Sequence, residues 1–166
     1  FVEPIEQLLY LASTQIDASR TMQNDDSVIE SLASLAKKTG FVSQNFSEAT
    51  AQALAPLEPF AAYVITQAIQ RYGQNERSLF SFLNARGRNS LSEYEGKIYQ
   101  LQCCYDYIYY NFYSYLKEAN TDSMQWSSMQ VAIERVEGQL WDTKTDLVDA
   151  IKLVKAIGLL NLFGNA

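Results

Sequence analysis

The chain has 166 residues, 48% of them apolar, with a formal net charge of −6 and no histidine. That length and apolar content suit one domain with a real core and exclude a disordered chain. The acidic balance argues against a general binder of nucleic acid or anionic membrane, and the missing imidazole excludes His–metal sites and Ser-His-Asp triads.

Three prolines and seven glycines are few, which favours long helices over many short strands. In chain order, Ile5, Leu8, Leu9, Ala12 and Ile16 recur at helix period. Asp25-Asp26-Ser27 then offers a cap to a stripe of Val28, Ile29, Leu32, Leu35 and Ala36, which Lys37-Lys38-Thr39-Gly40 closes. A short helix is expected from about Ser43 to Ala55. Pro59 suits the first turn of the next helix, whose stripe is Ala61, Val64, Ile65, Ala68, Ile69 and Tyr72, stopped by Gly73.

Asn75 can cap the helix after that, with Leu79, Phe80, Phe82 and Leu83 as its buried face. Residues 84–92 read as an exposed loop. Leu101, Cys104, Tyr105, Ile108, Phe112, Tyr115 and Leu116 continue at helix spacing. Asp122 or Ser123 can cap a helix with the stripe Trp126, Met129, Ile133, Val136 and Leu140. Asp142 and Thr143 can begin the last helix, apolar on nearly every side after Leu147, which predicts burial between other elements or against a missing partner. The expectation is an all-α bundle of roughly seven helices spanning 1–166 as one domain, with no strand.

No apolar run reaches membrane-spanning length; the nearest, Leu147 to Phe163, is broken by Asp149, Lys152 and Lys155. Cys103 and Cys104 are adjacent, fit neither a zinc spacing nor a disulfide framework, and point to a reducing cytoplasm. As side chains they read as a buried pair of small apolar groups. The start at Phe1 and the apolar end suggest a piece of a larger protein.

Four of the six arginines, Arg71, Arg77, Arg86 and Arg88, lie in residues 71–88 with Glu76 as the only acid there. That segment carries +3 and the rest of the chain −9. A cationic patch on an acidic molecule suits an anionic partner such as a nucleotide phosphate, because the guanidinium fork matches phosphate and carboxylate alike. The competing reading is ordinary: Arg77 pairs with a local acid, and the loop arginines are solvated.

Leu57-Glu58-Pro59, leading through a helix to Arg71-Tyr72-Gly73-Gln74-Asn75-Glu76-Arg77-Ser78-Leu79-Phe80-Ser81-Phe82-Leu83, resembles a segment of large bacterial P-loop ATPases. These multidomain proteins are related to the AAA and STAND groups, and several are linked to anti-phage defence. Tyr105-Asp106-Tyr107, within the stretch Leu101 to Tyr107, and Lys155-Ala156-Ile157-Gly158-Leu159-Leu160-Asn161-Leu162-Phe163-Gly164 resemble two later stretches of the same proteins, in the same order. The resemblance implies that Arg77 acts as an arginine finger or nucleotide sensor on an ATP held elsewhere, with Asn75 and Glu76 positioning it. It makes Arg71, Arg86 and Arg88 secondary phosphate candidates. No Gly-x-x-x-x-Gly-Lys-[Ser/Thr] occurs, so ATP and magnesium would be bound by another part of the parent protein, in the same or a neighbouring subunit.

Six tyrosines (Tyr105, Tyr107, Tyr109, Tyr110, Tyr113 and Tyr115) crowd into residues 105–115 beside Phe112. Tyr105, Phe112 and Tyr115 belong to the core stripe. Tyr107, Tyr110 and Tyr113 are left nearer the surface, as second-layer packing or as contacts for another protein chain. Base stacking is disfavoured because Asp106 and Glu118 flank the stretch against Lys117 alone. Glu93 and Glu95 read as solvated loop charge. The alternative to the ATPase reading is an autonomous helical module that binds other proteins and has no nucleotide role.

Overall fold

The computed structural model describes residues 5–16, 26–73, 76–84, 87–118 and 121–164, and the side chains of 26 and 76–78 lie outside the described set. Nine α-helices run through these residues: α1 (Ile5–Gln15), α2 (Asp26–Lys38), α3 (Glu48–Ala53), α4 (Pro59–Tyr72), α5 (Glu76–Asn84), α6 (Leu101–Asn111), α7 (Tyr113–Lys117), α8 (Ser123–Glu137) and α9 (Lys144–Phe163). A 3₁₀ turn at Leu91–Glu93 lies between α5 and α6. The only β pairing among the described residues is an isolated parallel bridge between Leu57 and Tyr99. The chain is all-α.

The centre of the array is α4. Its predicted stripe of Ala61, Val64, Ile65, Ala68, Ile69 and Tyr72 is wholly buried. The helix packs against α1, α2, α6 and α9. Pro59 stands in its first turn, where a missing N–H costs nothing. Gly40 ends α2 at φ +77°, a conformation that only glycine adopts without strain. Thr143 caps α9 by accepting from the Asp146 amide at 3.0 Å.

Nine helices stand among the described residues where roughly seven were expected, and two of the expected helices differ for local reasons. The Ser43–Ala55 helix is shorter than expected, because Ser47 rather than Ser43 provides the cap, accepting from the Thr50 amide at 3.1 Å. The stretch expected to run through Leu116 breaks at Phe112 (φ −115°, ψ 18°) and restarts as α7. Residues 84–92 are not simply an exposed loop either: Leu91 of the 3₁₀ turn is fully buried.

Several stripe positions face outward. Leu35, Phe80, Tyr115 and Leu140 are exposed rather than buried. Leu140 lies past the end of α8, in the connection to α9, so the helical period no longer places it. The last helix is not enclosed: Leu159 and Phe163 are buried, but Val148, Leu153 and Ile157 are exposed. Its apolar run feeds both a core contact and a solvent-facing surface. No helix among the described residues is long and apolar enough to cross a membrane.

Candidate functional site

The end of α4, the start of α8 and the end of α9 meet in one polar and aromatic cluster. Asp122 occupies the N-cap position of α8, as its sequence context suggests, but its side chain makes no cap hydrogen bond. Its Oδ2 instead accepts from Arg71 Nη1 at 2.9 Å and from the Tyr72 hydroxyl at 2.6 Å. The Tyr72 oxygen in turn accepts from Trp126 Nε1 at 2.9 Å.

The direction of this chain follows from the donor inventory. Indole N–H only donates, so the single Tyr72 proton must go to Asp122. Burial and the Asp122 bond push the Tyr72 hydroxyl well above the ordinary phenol range, which keeps it the donor. The Arg71 guanidinium lies over the Phe163 ring at 4.8 Å, and Tyr72 meets the same ring edge-on at 6.1 Å. Desolvation alone would lower Arg71, but hydrogen bonding and charge pairing with Asp122, together with Tyr72, outweigh it, and the net shift is upward. Because Arg71 titrates far above neutrality in any case, the pairing matters and the shift does not.

Residues of three stretches, 57–83, 101–107 and 155–164, are brought together here. Arg71 and Tyr72 of the first touch Phe163 of the third. Asp106 of the second accepts from Lys155 Nζ of the third at 2.7 Å, and the same ammonium lies 5.1 Å over Tyr105. Among the described residues, then, α4, α6 and α9 carry these segments as mutual packing partners.

The individual site residues divide as follows. Asn75, Arg86 and the side chains of Glu76 and Arg77 lie outside the described residues; the backbone of Glu76 and Arg77 opens α5. Arg71 is half-exposed and already held by Asp122, so an incoming phosphate would compete with a carboxylate. Arg88 is exposed and lies 4.8 Å over Tyr110. Arg71 and Arg88 therefore sit in different local settings.

Tyr107 corrects the expectation of a surface position. It is buried, with its ring 4.8 Å from that of Phe82 in a T-shaped contact. The reason is tertiary: α6 packs against both α4 and α9, and the Phe82 ring of α5 reaches Tyr107. Tyr110 and Tyr113 are exposed. Lys117 Nζ lies 4.6 Å over Tyr113, beside a shallow cleft between α7 and α8 that Tyr109, Leu116 and Trp126 also line. Cys104 is buried and Cys103 half-buried, both as free thiols pushed up by desolvation.

Two features were not anticipated. Asp122 is legible only as a helix cap, and no local signal ties it to residues 50 positions away. Glu58 is buried at the N-terminus of α4, its carboxylate accepting from the Phe60 amide at 2.8 Å and the Ala61 amide at 2.6 Å. Desolvation raises it to about 7, although both backbone bonds pull the other way. Its sequence context, an acid just before a helix-opening proline, does signal the cap.

Comparison with known proteins finds no matching family model, no matching curated protein and no matching solved structure. No group of three or more His, Cys, Asp or Glu side chains that could hold a metal ion occurs among the described residues.

Proposed function

We propose that this chain is the helical regulatory region of a large cytoplasmic P-loop ATPase, with Arg77 supplied to a nucleotide held elsewhere and nucleotide state relayed through the helices to partners. The observation that supports this reading most is the packing of the three resembling stretches on one another. A segment ending in Arg77 would be joined through Arg71 and Tyr72 to the end of α9, the stretch that leads onward in the resembling ATPases. Displacement at the α4–α5 junction would then reach that exit through two ring contacts and one carboxylate.

In this reading the chain binds no nucleotide by itself. Its chemistry is one guanidinium offsetting charge on a transferring phosphoryl group. The test is Arg77→Ala in the parent ATPase, with folding checked by circular dichroism. Turnover should fall about 10³-fold or more if Arg77 is a finger. Unchanged turnover with an intact fold removes the nucleotide role.

A second reading, a module that binds other proteins, is favoured by the hairpin of α8 and α9. Met124, Val131, Val148, Leu153 and Ile157 are all exposed there, and scattered exposure is normal whereas concentration on one hairpin marks a contact surface. Size measurement by light scattering separates the cases. Self-association abolished by Leu153→Glu would support the module, and a strict monomer that captures no parent-protein fragment would count against it.

A further inference from the structure

We propose that Asp122 is a positioning residue for the Arg71–Leu83 segment, coupling it to the start of α8 and the end of α9. The inference deepens the function proposed above and rests on it for its purpose, but its geometry stands independently. Asp122 lies 51 residues from Arg71 in sequence, and its side chain forgoes the cap position that its place in α8 offers. One oxygen, Oδ2, receives both Arg71 Nη1 and the Tyr72 hydroxyl. Trp126, one helical turn into α8, donates to that same hydroxyl.

Two elements, the end of α4 and the start of α8, are thus joined at one atom pair. Only Gly73, Gln74 and Asn75 separate Tyr72 from Glu76, the first residue of α5. A connection that short has a reach of roughly 14 Å even when fully extended. Where Tyr72 is held therefore bounds where α5, and Arg77 with it, can begin. On the opposite side, Phe163 packs under both Arg71 and Tyr72, so the same carboxylate also bears on the end of α9.

Asp122→Asn is the discriminating change. An amide oxygen in the place of Oδ2 still accepts from Tyr72, but the charge that holds Arg71 is gone. The readout is amide hydrogen exchange of this chain, measured helix by helix and without nucleotide. Exchange should quicken by at least about tenfold in residues 76–84 and 155–163 relative to α2 and α3, because local opening there loses its anchor. Lys155→Met, which breaks the separate Asp106 pair, should leave residues 76–84 unchanged.

Unaltered protection of 76–84 in Asp122→Asn overturns the proposal. Equal loss of protection in every helix overturns it too, since Asp122 would then be an ordinary contributor to global stability. If Asp122→Asn does not fold, Arg71→Gln is read by the same criteria, because it spares the Tyr72 bond. The exchange experiment contains no ATP. Its failure therefore leaves the Arg77→Ala result standing, and failure of Arg77→Ala leaves the positioning role intact.

Discussion

Trp126 and Tyr72 are joined by an indole-to-hydroxyl hydrogen bond of 2.9 Å, both side chains buried, 54 residues apart in sequence. The bond sets the orientation of the Tyr72 proton and so completes the path from α8 through α4 to Asp122. Tyr72 is also the aromatic hub of the array, its ring within 5.4 Å of Tyr115 and 6.3 Å of Phe112 and Trp126.

Tyr72→Phe keeps these ring contacts and removes only the hydroxyl. It leaves the buried Trp126 N–H without this acceptor and Asp122 without one donor. Leaving a buried polar group unsatisfied costs about 1–3 kcal/mol. Urea unfolding should show that loss with an unchanged m-value. A variant as stable as the parent chain would mean that solvent replaces the hydroxyl.

Glu58 makes stability depend on pH in an unusual direction. Its carboxyl is raised from 4.5 to about 7 by burial, so the folded state binds the proton more tightly than the unfolded state. The contribution is fully present below pH 4.5 and is lost as pH rises through about 7, amounting to about 3 kcal/mol across that window. The chain has no histidine, so no imidazole titrates over the same range. Chemical denaturation at pH 5 and pH 8 should show lower stability at pH 8, and Glu58→Gln should remove most of the difference. A wild-type profile flat across this range would mean that the two amide bonds offset the desolvation.

Gly158 lets α9 approach α8 closely. A Cβ built there would overlap the Sδ and Cγ atoms of Met129, a buried residue of α8. Gly158→Val should destabilise by about 1–3 kcal/mol through overpacking. Combined with Met129→Ala, the loss should be smaller than the two single losses added, because the cavity accepts the new side chain. Strict additivity in the double-mutant cycle would rule out this contact as the cause.

The Lys155–Asp106 pair should matter little to stability despite its 2.7 Å separation. Asp106 is 40% exposed and Lys155 17% exposed, and pairs near solvent contribute about 0–1 kcal/mol. Lys155→Met keeps most of the apolar stem and should shift the unfolding midpoint only slightly. A loss above about 2 kcal/mol would show that the cation over Tyr105 carries more than surface pairing does.

Much of the helical pattern could be read along the chain because it depends on local chemistry. The stripe of α4 appears as written, Pro59 opens that helix, Gly40 closes α2 and Thr143 caps α9. Each follows from side-chain period or from one residue's conformational preference. The candidate site was less legible. Arg71 read as a secondary phosphate candidate and Asp122 as a cap, since neither has a nearby partner in sequence. Tyr107 and Tyr115 exchanged their expected places. The 3.6-residue period locates one face of a helix, whereas α6 packs against both α4 and α9, and the chain breaks at Phe112 before Tyr115.

The amino-acid sequence by itself determined the class of structure: few breakers, long apolar periods and well-formed caps leave little but packed helices. It also determined the concentration of guanidinium groups around residues 71–88. Only the tertiary structure decided which carboxylate meets Arg71, which tyrosines lie inside and which face of α9 is left to solvent. Those outcomes depend on contacts between residues some fifty positions apart, where no local preference operates and the docking of whole helices selects the partner.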